Sequence, residues 1–305
     1  MIYTETTLYK AWESYNKTIT HRFYTYGHSI ILLILFEFLM WVAASPNVLA
    51  YNGTDLWFKL SRFLPGGTLF VSLAIIGMWA WRLREDWFGI KTRKQLKNDA
   101  SLKKKNPKFI PKPKPKYRPN WHYFGFQVVE GFAYSALILM LLPPITYALM
   151  WIITSDIDVP SPLDANDVFQ GFHTNFFQNA GLAFGAGFYE ELIFRGYLFA
   201  GLSWLAGKVS YLKKLKAQSV KVDVVKFSLP KYNPKDRGFL LAITVGTMIY
   251  ALSHYLIPFG DAWSWYSFVY RFFFGLIMYF IFVNRGFSIA AWAHAFYDFW
   301  YFVLN

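Results

Sequence analysis

Apolar residues gather into seven long runs along the chain, near 23–44, 66–83, 124–153, 171–206, 238–257, 266–283 and 287–304. Each is about the ~20 residues that a helix needs to cross hydrocarbon. The pattern therefore predicts an all-α polytopic membrane protein, a bundle of about seven transmembrane helices. Two runs are long. The third contains Pro143-Pro144, a pair that can kink or end a helix, and the fourth opens on the polar run His173-Thr174-Asn175, expected at the interface. Residues 1–22 are polar and mixed in sign, without the charged start, short apolar core and cleavage site of a signal peptide, so the first run is expected to stay in the mature protein. Neither a solenoid-length repeat nor a matched pair of Gly/Pro-broken spans is visible.

Composition agrees. Of 305 residues, 55% are hydrophobic and only 16% charged, against roughly 25% charged in soluble domains, which disfavours a compact water-soluble enzyme. The formal charge of +13 is segregated. Residues 82–118 hold 14 Lys/Arg against Glu85, Asp86 and Asp99, and residues 208–237 hold 9 against Asp223 and Asp236. Residues 154–170 carry Asp156, Asp158, Asp164 and Asp167 with no Lys or Arg. The positive-inside rule puts both basic loops and the N-terminus in the cytoplasm, despite Lys59 and Arg62 in the first outside loop. In a prokaryote the host would be the plasma (inner) membrane. The Lys-Pro repeat of 111–116 reads as an extended linker. Such loops attract anionic lipid headgroups; nucleic acid is set aside as a partner, because topology alone accounts for the charge. With no cysteine in the chain, thiolate zinc sites and a cysteine nucleophile are excluded.

Ionisable groups inside spans cost on the order of 3 kcal/mol each at the bilayer centre, so they usually face protein or a wet cavity and act there. Here they are Glu37, Glu130, Glu190, Glu191, Arg195, His254, Arg271, His294 and Asp298. On a helix, Glu191 and Arg195 at i, i+4 face each other, whereas Glu190 points about 100° away. Glu191 with Arg195 can neutralise itself as a pair. Burial then penalises the charge of Glu190, which suits a general base. His254 follows Tyr250 at i+4, and His294 shares a face with Asp298. Small residues around them, among them Gly185, Gly187, Ala291 and Ala295, would let the helices approach closely. Each piece alone reads as structural: an ion pair, a packed histidine, a polar clamp. His21, His28, His122 and His173 lie at span edges or in loops and are assigned nothing.

Together, an E-E-x-x-x-R sequence, an aromatic-x-x-x-H and an H-x-x-x-D, in that order on three different transmembrane helices, resemble the CPBP intramembrane proteases. These are also called the Abi or CAAX-protease family, which includes the type II prenyl-protein endopeptidases. The resemblance covers roughly 171–305, so the chain divides into 1–170, with three spans and the basic loop, and a catalytic core of four spans. It implies that Glu190 activates water, Glu191 and Arg195 support it, His254 is the second-motif histidine, and His294 with Asp298 is the third motif. Tyr250 replaces the usual Phe, and Asp298 stands where many members have Asn.

Peptide hydrolysis needs an activated water, an oxyanion stabiliser and a proton for the leaving amine. A metal-free route supplies them from Glu190 with His254 and from His294 with Asp298, and requires no cofactor. A metalloprotease route would put zinc among Glu190 or Glu191, His254 and His294, although no H-E-x-x-H is present. The substrate would be a peptide or protein, lipidated in eukaryotic relatives, met near the cytoplasmic face. Two other classes compete: a proton- or ion-coupled transporter, which would recruit Glu37, Glu130 and Arg271, and a catalytically idle scaffold or immunity protein.

Overall fold

A computed structural model describes Tyr15 and residues 22–42, 67–88, 93–108, 110, 120–154, 176–199, 201–202, 205, 237–255 and 263–304. Among these residues the regular structure is entirely helical. The helices are α1 (Arg22–Gly27), α2 (Ile30–Val42), α3 (Gly67–Trp87), α4 (Arg93–Lys105) and α5 (Trp121–Thr154). Then come α6 (Phe176–Glu190) with a π-helical extension (Glu191–Phe199), α7 (Arg237–Ser253), α8 (Trp265–Arg285) and α9 (Phe287–Leu304). The acidic segment 155–170, the Lys-Pro repeat 111–116, the basic segment 208–236 and His173-Thr174-Asn175 lie outside the described residues.

Every expected apolar run contains helix, but only three stretches of the described residues are long and apolar enough to cross a membrane: Tyr24–Val42, Trp121–Ile152 and Trp265–Arg285. Leu69–Trp81 and Gly238–Ser253 are shorter apolar helices. Helix α6, at 15 residues, is short for a span, and in α9 His294 and Asp298 dilute the apolar character.

Local details differ from the expectation in instructive ways. The first run is broken at His28-Ser29, where His28 turns its side chain to Gln127 on α5, with Nδ1 3.0 Å from Gln127 Oε1, and the Ser29 hydroxyl donates to the Tyr26 carbonyl at 2.8 Å. The Pro143-Pro144 pair does not end its helix; α5 runs through both. Part of the first basic loop is itself a helix, α4, whose last turn is Lys103-Lys104-Lys105.

The core is built around α9. One face packs Ile289, Ala290, Ala293 and Tyr297 against Ile138 and Leu142 of α5 and Phe274, Met278 and Ile281 of α8. The other packs Phe287, Ala291 and Trp292 against Leu32, Leu33 and Phe36 of α2, Trp79 of α3 and Phe188 of α6. A helix buried on all sides is the centre of a bundle rather than one of its walls. Two glycines make this possible. Gly286, at φ 86°, is the one-residue corner between α8 and α9, in a backbone region that side chains with a Cβ avoid. Gly187 lets α6 touch α9, since a Cβ there would stand 2.5 Å from the Ala295 nitrogen. Gly187→Ala is accordingly expected to cost about 1–3 kcal/mol through overpacking, read as a lowered thermal unfolding midpoint in detergent.

Candidate active site

At Glu191 helix α6 changes from α to π geometry and stays so through Phe199. Such widened turns recur at functional sites. The π segment is supported from α8: the Tyr279 hydroxyl donates to the Phe194 carbonyl at 2.9 Å, and Arg195 Nη2 donates to the Gly275 carbonyl at 3.4 Å.

Arg195 and Glu191 are both fully buried. The expected pair forms, with Arg195 Nη1 3.0 Å from Glu191 Oε1, as an ion contact rather than an aligned hydrogen bond, for Nη1 lacks bonding geometry to any described residue. The guanidinium also lies 4.4 Å over the Tyr250 ring and 5.2 Å from that of Tyr279. Aromatic faces attract a desolvated cation, so the residue exchanged for Phe in the second motif serves as a floor for Arg195. Tyr279 carries no signal of this role in the sequence.

The same Glu191 oxygen holds the imidazole of α9, with His294 Nδ1 at 2.8 Å. This contact spans two helices and goes beyond the i, i+4 pairing read from the sequence. On the other side of the ring, His294 Nε2 is 3.8 Å from Glu190 Oε2 and 3.5 Å from Asp298 Oδ2. Glu190 and Glu191, pointing apart around their helix, thus flank one ring. Phe274 closes its face, centroids 4.9 Å apart. One guanidinium and one imidazole therefore meet three carboxylates in a nearly dry interior, where charges interact far more strongly than in water. Glu191 Oε2 and Arg195 Nε are buried without a hydrogen-bond partner among the described residues, so the cluster keeps polar capacity.

His254 ends the same chain of contacts. Its Nδ1 lies 3.0 Å from the Tyr250 carbonyl, and its ring stands edge-on to the Tyr250 ring at 5.1 Å, so Tyr250 lies between the Arg195 guanidinium and the second-motif imidazole. Among the described residues no group of three His, Asp or Glu is disposed to hold a metal ion.

The remaining intramembrane charges have local partners. Ser72 donates to Glu37 and bonds the Tyr189 hydroxyl. Glu130 receives two N–H bonds from Arg285, and Arg271 lies over the Tyr255 ring at 5.3 Å.

Residues 172–300 match the family described as type II CAAX prenyl endopeptidase, Rce1-like. This match supports the CAAX-protease (CPBP) reading of the second half of the chain. Comparison with curated proteins and with solved structures gives no match. The Rce1-like region runs from just before α6 to most of α9 and so holds every residue of the cluster. It indicates a protease, and with the apolar helices an integral membrane protein.

The ion pair is the structural test of the site. Arg195→Met would strand a buried carboxylate, expected to cost about 3–5 kcal/mol of stability. Adding Glu191→Gln to that variant should recover part of the loss in thermal unfolding.

Proposed function

We propose that this chain is an intramembrane endopeptidase whose hydrolytic centre is the Glu190–Glu191–Arg195–His294–Asp298 cluster with His254 beside it. The observation that carries the reading is the doubly held imidazole, with Glu191 at Nδ1 and Glu190 and Asp298 facing Nε2. An acid that orients a ring from one nitrogen, while further acids stand close to the other, is an arrangement used for acid–base chemistry.

The proposed steps balance without a cofactor. Glu190, assisted by His254, takes a proton from water, and the water oxygen bonds the scissile carbonyl carbon. The resulting oxyanion is met by His294. That ring presents Nε2 to the oxyanion, with Nδ1 held by Glu191 and Asp298 beside Nε2. The tetrahedral centre then collapses, the C–N bond breaks, and Glu190 returns its proton to the leaving amine. Arg195 holds Glu191 in place and does not touch substrate.

In this reading the seven apolar helices cross the membrane with segments 82–118 and 208–237 and the N-terminus on the cytoplasmic side, as their Lys and Arg content supports. His294 is the eighth residue after Gly286, about 12 Å along α9 from that corner, a depth suited to a peptide tail entering from the cytoplasmic face. The substrate is a peptide or protein segment, prenylated or not. A proton or ion pathway is less well supported, because Glu37 and Glu130, the acids it would recruit, are held in separate local pairs.

A proteomic comparison of membranes containing active protein or Glu190→Gln should show peptides cut only by the former. Glu37→Gln should leave cleavage within about twofold of the parent, whereas Glu190→Gln should lower it by 10²-fold or more, on the order of what general-base catalysis contributes. A reversed order would leave the transporter reading standing. Cleavage is also expected to survive exhaustive chelation, with less than stoichiometric metal in the purified protein; loss on chelation and return with zinc would contradict the metal-free steps.

A further inference from the structure

The family match begins at residue 172, yet the corner that launches the His294 helix is fastened by residues well before it. Arg285 ends α8, Gly286 turns the chain, and Phe287 starts α9, so the side chain of Arg285 sits at the pivot of the catalytic helix. Arg285 donates from Nε and Nη2 to the carboxylate of Glu130 on α5, with Nη2 2.8 Å from Oε2. The Tyr15 hydroxyl donates to the same Oε2 at 2.8 Å, and the Arg285 guanidinium lies 5.7 Å from the Tyr15 ring. One turn earlier on α5, Gln127 Oε1 accepts from the Ser288 hydroxyl at 2.9 Å, which fixes the first turn of α9 as well.

We propose that Glu130, clamped between Arg285 and Tyr15 at the α8–α9 corner, is a positioning residue that sets the register of α9 and hence the place of His294 and Asp298. The physical reason is leverage without slack. A single glycine joins the helices, so any turn of Arg285 about the corner is passed to α9. A bidentate carboxylate–guanidinium pair is directional, unlike an apolar contact that tolerates sliding. Partial burial of both partners, with side chains 14% and 16% exposed, shields the pair from the screening that weakens surface ion pairs. The clamp touches no reacting atom. Its effect is geometric, and a 1 Å displacement of catalytic groups can cost about 10²-fold.

The kinetic arm of the test rests on the proteolytic reading above; the structural arm does not. Because the chain has no cysteine, a Phe132→Cys/Phe296→Cys pair, at positions whose rings are 5.6 Å apart across α5 and α9, reports register through a short thiol-to-thiol cross-linker. In the full chain in membranes, Glu130→Ala and Arg285→Ala should each slow cross-linking several-fold. In the chain without the cysteine pair they should lower kcat by about tenfold with KM within about twofold. The double variant should be no worse than the worse single one, since each side chain acts through the other. Tyr15→Phe, which spares the ion pair, should shift both readouts in the same direction by a smaller factor, and it serves as the test if the alanine variants do not fold. Unchanged cross-linking in the variants that fold, losses that multiply in the double variant, or a change in KM with kcat intact would overturn the proposal. If Glu190→Gln still cleaves, the function reading fails while the cross-linking arm continues to decide this one.

Discussion

A single contact between helices, Glu191 on the π segment to His294 on α9, governs how the rest of the bundle is arranged. At 2.8 Å it leaves no room for a side chain between α6 and α9 where they cross, so the crossing is made at Gly187 against Ala295. It also requires α9 to lie inside the bundle, which is why its residues on every side between Phe287 and Ala295 are buried. Small residues on α9 are the consequence: alanines allow backbones to approach in hydrocarbon, where van der Waals packing rather than the hydrophobic effect holds helices together.

Burying that contact has an electrostatic cost that the surroundings offset by distributing it. The Arg195 guanidinium meets a carboxylate of its own helix, an aromatic face from α7, and an aromatic face and a backbone carbonyl from α8. Buried pairs are stabilised by further hydrogen bonds, and here α8 supplies one, from the Gly275 carbonyl to Arg195 Nη2, with the Tyr279 ring beside the guanidinium. The π geometry belongs to the same solution, because Tyr279 meets a carbonyl of the widened helix with its own hydroxyl. The two adjacent acids thus meet opposite sides of one ring: Glu191 bonds Arg195 and His294 Nδ1, and Glu190 stands 3.8 Å from His294 Nε2.

Much of this could be read from the residues alone. The spacing of Glu191 with Arg195 and of His294 with Asp298 states an i, i+4 relation that a helix must honour, and both pairs come together within 4 Å. The runs of apolar residues mark where helices form, since hydrophobicity over ~20 residues is a coarse property that survives local detail. What was hidden depends on partners far apart in the chain. Nothing in the local sequence distinguishes a π turn at Glu191 from an α turn, because the hydroxyl that supports it comes from Tyr279. Tyr250 looked like a conservative exchange for Phe, and its ring proves to be the surface against which Arg195 rests. Glu130 was legible only as a charge inside an apolar run and Gln127 carried no signal; their partners, Arg285 and Ser288, lie more than 150 positions away on either side of a glycine corner. The break at His28 follows Gly27, a weak helix former, and the freed His28 ring meets Gln127 on α5.

The boundary of the Rce1-like match and the boundary of the packed unit therefore differ, and packing explains why. The match covers the four helical segments from α6 to α9, which also carry the buried cluster. The walls that keep these segments in place need only be apolar, complementary in shape and occasionally polar at a fixed point. Leu32, Leu33 and Phe36 of α2 fill one side of α9, Ile138 and Leu142 of α5 the other, and many sequences could do the same. A core whose chemistry is fixed and whose enclosure is free to drift would look like a domain in sequence while remaining only part of a domain in space. His294 is held where it is by both halves: by Glu191 through a bond that must be a carboxylate, and by the α2 and α5 walls through contacts that must merely fit.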